Sequence, residues 1–64
     1  MIQEYDVIRL TVDLPELQLK RGTVGTVLAI YSVPTPGYEV EVEGFEGTFG
    51  VQPNQIELVQ TNGS

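Results

Sequence analysis

Gly22 and Gly25 stand three residues apart and open the run Val24-Gly25-Thr26-Val27-Leu28-Ala29-Ile30-Tyr31, in which nearly every side chain is apolar or β-branched. A continuous apolar run of strand length, entered through a glycine turn, reads as a buried central strand with one face on the core and the other against neighbouring loops. The chain is only 64 residues long and has no cysteine. A domain of this size hides roughly 60% of its unfolded surface. With neither a disulfide nor a Cys/His metal site to brace it, it depends on economical packing or on help from a partner.

The rest of the chain supplies strands around that one. Tyr5 to Val12 alternates imperfectly and places Val7, Ile8, Leu10 and Val12 around Arg9 and Thr11, which reads as the first strand. Asp13 to Arg21 is broken by Pro15 and too short for an independent helix, so it reads as a long loop with one helical turn at Pro15 to Leu17. Two prolines and a glycine in Ser32 to Gly37 turn the chain back. Tyr38 to Glu43 then alternates cleanly, Tyr38, Val40 and Val42 on one face and Glu39, Glu41 and Glu43 on the other. A tight connection at Gly44 to Gly47 leads to a strand over Thr48 to Val51, a 3₁₀ turn at Pro53 to Gln55, and a last strand from Ile56 to Val59.

The resulting expectation is an all-β fold, a small five-stranded SH3-like barrel over residues 1–59 with one 3₁₀ turn before the last strand. Closing the sheet and pairing the first strand with the last leaves fewer backbone groups exposed at its edges. Residues 60–64 are polar and aperiodic, which predicts a disordered tail.

Charge narrows the partners. Nine acidic residues against three basic ones give a net charge of −6, with no histidine to change it near neutral pH. Nucleic-acid binders draw most of their affinity from Lys and Arg on phosphates, and only Arg9, Lys20 and Arg21 are on offer here. The same sign disfavours anionic membranes and favours a protein partner with a basic surface. The first residues lack the cationic flank and apolar stretch of a signal peptide, and no segment reaches transmembrane length, so a cytoplasmic location is expected.

The GTVGTV phrase, a hairpin ending in YEVEVE and a closing PNQIELV together resemble a family of short bacterial proteins, common in cyanobacteria, that begin with a phrase like EYDVIRLTVDLPE. That resemblance spans Ile2 to Val59 and includes the loop Leu14 to Leu17; the family's activity is undefined, so it implies membership rather than a role. The strand pattern is also similar to SH3-like accessory subunits of photosynthetic electron-transfer complexes and to the KOW modules of ribosomal and transcription proteins. Gly22, Gly25 and Val27 match their G-x-x-G-x-V turn and strand. The basic residues with which KOW modules grip RNA have no counterpart here.

Each candidate site has a plain structural alternative. The glycines do not form a phosphate cradle, because the segment after them reads as strand and lacks the Lys and Ser/Thr of a P-loop. Glu39, Glu41 and Glu43 lie about 7 Å apart along a strand rising ~3.3 Å per residue. They form either a solvated face or a docking stripe for a basic partner, and a flat row does not wrap a calcium ion. Leu14, Leu17 and Leu19 either fold over the core or join Tyr5, Tyr31 or Phe45 in an exposed interaction patch. SH3-like barrels commonly bind through the first long loop and the loop before the last strand, and that analogy adds Phe49, Pro53 and Asn54 as partner-binding candidates.

Nothing in the composition points to catalysis. Cys and His are absent, Ser32 has no recognisable base, and the scattered carboxylates show no spacing that builds a pocket, so no enzyme activity, cofactor or metal is expected. The leading reading is a non-enzymatic protein–protein interaction module, an accessory subunit or an antitoxin-like partner of another cytosolic protein. The alternatives are a KOW-like nucleic-acid-binding domain and a self-associating structural protein that forms homo-oligomers.

Overall fold

Val24–Tyr31 (β2) is the strand about which the others are arranged in the computed structural model, which describes residues 1–63. Val7–Leu10 (β1), Gly37–Glu41 (β3), Phe49–Val51 (β4) and Ile56–Gln60 (β5) join it in one antiparallel sheet of order β4-β3-β2-β1-β5. Short 3₁₀ turns occupy Pro15–Leu17 and Pro53–Gln55. The all-β class, the five strands, the pairing of first with last and the 3₁₀ turn ahead of the last strand follow the sequence expectation. This order is consistent with a small SH3-like barrel. The edge strands β4 and β5 are connected by the second 3₁₀ turn and not by a ladder.

β2 divides its length between two partners. Its first half pairs with β1, Thr26 opposite Val7 and Val24 opposite Arg9, and from Thr26 onward it pairs with β3, Val27 opposite Val40 and Tyr31 opposite Gly37. The register slips between Val27 and Ala29, so Leu28 is an extra residue that strengthens the local twist and bends the strand. A second slip at Val7/Ile8 does the same where β1 meets β5.

The two glycines of the opening phrase serve different needs. Gly22 has φ +92°, a left-handed conformation that costs a residue with a Cβ roughly 1–2 kcal/mol, and its N–H reaches the Leu10 carbonyl at 2.8 Å. Gly25 is needed for closeness. A Cβ there would lie 2.7 Å from the Glu41 carbonyl oxygen, where β3 crosses β2.

Eight side chains form the core: Ile8, Leu10, Leu14, Val27, Val40, Phe49, Val51 and Ile56. Every strand contributes at least one of them, and each buried aliphatic side chain is worth roughly 1.5–3 kcal/mol. Phe45, in the β3–β4 connection, meets Phe49 edge to face with ring centroids 5.2 Å apart. The first long loop folds inward: Leu14 and Leu19 exchange backbone hydrogen bonds of 2.8 and 3.1 Å, Leu14 is buried, and Leu17 and Leu19 pack against the core.

Several expected boundaries shift. β1 starts at Val7 and not at Tyr5, because Tyr5 takes a positive φ of 70°, and it ends before Thr11, whose N–H turns to the carbonyl of Gln55. β3 stops at Glu41, so Val42 and Glu43 enter the turn that carries Gly44 at φ +87°. β5 continues to Gln60, and beyond it the Asn62 N–H is held by Asp6. The tail expected to be disordered from residue 60 is therefore ordered at its start by strand pairing and by that bond; its last position, 64, lies outside the described residues.

Two substitutions probe this packing. Gly25→Ala is expected to cost about 1–3 kcal/mol, the range for overpacking a tight contact, read as a lower urea midpoint. Val27, with no exposed surface, is expected not to tolerate Asp: circular dichroism of Val27→Asp should show an unfolded chain, and Glu41→Gln a native one. A folded Val27→Asp variant would mean that the strand faces are misassigned.

Candidate functional site

The bulge at Leu28 has a consequence at the far end of β2. After the slip Ile30 lies opposite Tyr38 and Tyr31 opposite Gly37, where the β2–β3 hairpin runs out of core to cover it. Ile30 is 45% exposed, Tyr31 48% and Val33 79%. Three apolar side chains in four positions thus meet solvent. The connection that follows holds a cis Val33–Pro34 bond and Pro36, both prolines exposed.

Two clefts run past these side chains, and a third adjoins the second. The largest, about 590 Å³, lies between the N-terminal residues Met1 to Glu4 and the hairpin residues Ile30, Tyr31 and Tyr38. The next, about 330 Å³, lies on the other side of Tyr31 and Tyr38, between the loop at Val33 to Pro36 and β4. A third, about 350 Å³, continues from Thr35 and Pro36 to Gln52, Pro53 and Asn54. Ile2 packs against the core and so anchors the N-terminal wall. The far wall is stiffened by the second 3₁₀ turn, in which the Gln52 N–H donates to Oε1 of Gln55 at 2.8 Å and the Asn54 carbonyl accepts from the Thr11 hydroxyl at 3.1 Å.

The candidate residues from the sequence divide among these places. Pro53 and Asn54 line the third cleft, beside the β2–β3 loop and not beside the leucine loop. Phe49 and Leu14, proposed for partner binding, are 8% and 6% exposed and belong to the core, so they present no surface. Leu17 and Leu19 are partly buried against that core, which favours the covering role over the exposed patch. The acidic row loses a member: Glu39 and Glu41 lie on β3, Glu43 in the turn beyond, and Glu39 accepts a hydrogen bond from the Thr48 hydroxyl.

The exposed end of β2 and the N-terminal segment were hidden from sequence reasoning. An apolar run looks buried throughout, and nothing in the letters marks the bulge at Leu28 or the exposure of the run at both ends, at Val24 and at Ile30 and Tyr31. Pro34 and Pro36 were a visible signal of a fixed loop, though not of a lined cleft.

Asp6 is the buried charged side chain of the described residues, 3% exposed. Its Oδ1 accepts the Asn62 N–H at 2.7 Å and its Oδ2 the Gln3 N–H at 2.8 Å, tying the segment before β1 to the segment after β5. The Asn62 N–H, then the Gln3 N–H, hold its pKa below the ordinary 3.8 against the opposing effect of burial, with a smaller contribution from the terminal ammonium. Among the described residues no three His, Cys, Asp or Glu side chains are grouped to hold a metal ion, and no helix is long and apolar enough to cross a membrane.

The family described as a domain of unknown function (DUF4926) matches residues 4–48, well over half of the chain, and the chain belongs to it. No curated protein and no solved structure matches the chain. The family match takes in Glu4 of the N-terminal wall, β1 to β3 and the connection up to Thr48, and leaves β4, the second 3₁₀ turn and β5 outside it.

Asp6→Asn is expected to lower the melting temperature at neutral pH, because an amide offers one oxygen and one donor where two N–H groups must be accepted. The linkage sign follows from a lowered pKa: the carboxylate's contribution is complete above the ordinary aspartate value of 3.8 and is lost as pH falls through the lower value in the fold. Thermal melts from about pH 6 down to about pH 2 should show a steeper acid limb for the native chain than for Asp6→Asn.

Proposed function

We propose that this member of the family is a non-enzymatic protein–protein interaction module that docks on another protein as an accessory subunit. The observation that carries the reading is the exposure of Ile30, Tyr31 and Val33 within four positions and beside adjoining clefts, three of the nine large apolar side chains left exposed among the described residues. Rigid aromatic and aliphatic side chains on a stiff hairpin bury apolar area at little entropic cost, which is what interface centres are made of.

Charge placement supports a protein partner over nucleic acid. Arg9 is paired with Glu57 across β1 and β5, and Lys20 and Arg21 sit in the turn before β2, whose backbone is held to Asp13. No run of cations faces one way to follow a phosphate backbone.

Affinity capture from native lysate with the tagged chain is expected to recover a stoichiometric protein, and the variant Tyr31→Ser/Val33→Ser to lose it. Recovery of no stoichiometric protein across several salt concentrations would remove the reading, as would salt-sensitive binding of RNA or DNA by fluorescence anisotropy.

A further inference from the structure

We propose that the three joined clefts form one trough for an extended, cationic segment of a partner protein that carries apolar side chains between its positive charges. This rests on the interaction-module reading and adds to it the surface, the conformation of the ligand and the sign of its charge.

Continuity comes first. The cleft beside the N-terminal segment and the cleft beyond it have Tyr31, Pro36 and Tyr38 in common, and the second and third have Thr35, Pro36 and Gln52 in common. The path therefore runs from Met1 to Glu4, past the two tyrosines, over Pro36 and on to Pro53 and Asn54. Successive clefts separated by ring and proline ridges suit separate side chains of one extended strand, because such a strand projects them at regular intervals. The longest dimension of the molecule is 29 Å, so at ~3.3 Å per residue the trough holds at most about eight or nine residues.

The sign comes from where the charges lie. No Lys or Arg lines any of the three clefts. Among the described residues the cation on the path is the terminal ammonium of Met1, which has Glu4 beside it in the same wall. Lys20 and Arg21 precede β2, at the opposite end of that strand from Tyr31, and Arg9 is paired with Glu57. With a net charge of −6 the whole molecule attracts a cationic segment and repels both an acidic one and a second copy of itself. Apolar walls then retain what the field has drawn in.

The probe is an acetylated eight-residue peptide alternating lysine with leucine, set against the same peptide with glutamate for lysine and with serine for leucine. In ¹H–¹⁵N spectra of the full chain, the lysine–leucine peptide is expected to shift the amides of Ile30, Tyr31, Tyr38, Gln52 and Asn54 saturably. The other two peptides should not. Tyr31→Ser, which truncates a half-exposed ring outside the core cluster, should weaken binding about tenfold with a native spectrum, and Glu4→Gln should weaken it more at low salt than at high salt.

Equal binding of the glutamate peptide, shifts centred on Glu41 and Glu43 in place of the trough, or the absence of saturable shifts would overturn the proposal. So would light scattering that shows a dimer dissolved by Tyr31→Ser, since the occupant would then be a second copy. If the peptides fail while lysate capture yields a stoichiometric partner, the trough assignment falls and the module reading stands. Peptide binding without any captured partner separates the two in the other direction.

Discussion

The division of β2 between two partners is the constraint on which the rest of this structure depends. Its first residues satisfy β1 and its later residues satisfy β3, with Thr26 shared by both registers. A strand in a flat sheet would serve both neighbours along its whole length. Serving them in sequence requires a sharp change of direction, which the extra residue at Leu28 provides and which the missing side chain at Gly25 makes room for. Curling the sheet in this way brings Ile8 and Leu10 of β1 over Val27, Val40 and the residues of β4, so a core of eight side chains closes without a helix.

The same bend sets the limit of that core. Past it, Ile30 and Tyr31 lie beyond the buried centre and can be covered only by what the chain brings to them: the N-terminal residues on one side and the proline loop on the other. Neither covers them fully. The exposed apolar surface is thus a direct result of curling so short a sheet around a small core, and both its walls are tied down, one through Ile2 and the other through the Gln52 and Gln55 contacts. Asp6 extends the same logic to the chain ends, where one carboxylate accepts an N–H from each terminal segment in a place that a neutral side chain would leave incompletely bonded.

Much of the fold was legible because its signals are local. Val40 between Glu39 and Glu41 states its inward face by alternation alone, and Gly22 marks a positive φ that few other residues accept. Pro53 announces its 3₁₀ turn because proline suits the first position of one. The candidate site was much less legible. The analogy with SH3-like barrels puts Phe49 at a binding surface, whereas β4, three residues long, turns both its large side chains inward. Leu14 could not be placed from its neighbours, since whether a loop leucine is covered depends on a bridge to Leu19 and on β strands distant in sequence.

The sequence alone determined the class, the strand count, the acidic surface and the absence of histidine and cysteine chemistry, because periodicity, composition and turn residues act over a few positions at a time. Tertiary structure alone decided where the apolar run stops being buried, which acidic residues stay in strand, and that Met1 to Glu4, Tyr31 and Pro53 come to line neighbouring clefts. Those outcomes depend on the slip at Leu28 and on contacts between segments as far apart as Gln3 and Asn62, both gathered on Asp6. Strand propensity is a property of neighbouring residues. Register and closure are properties of the whole sheet, settled only when every strand competes for the same small core.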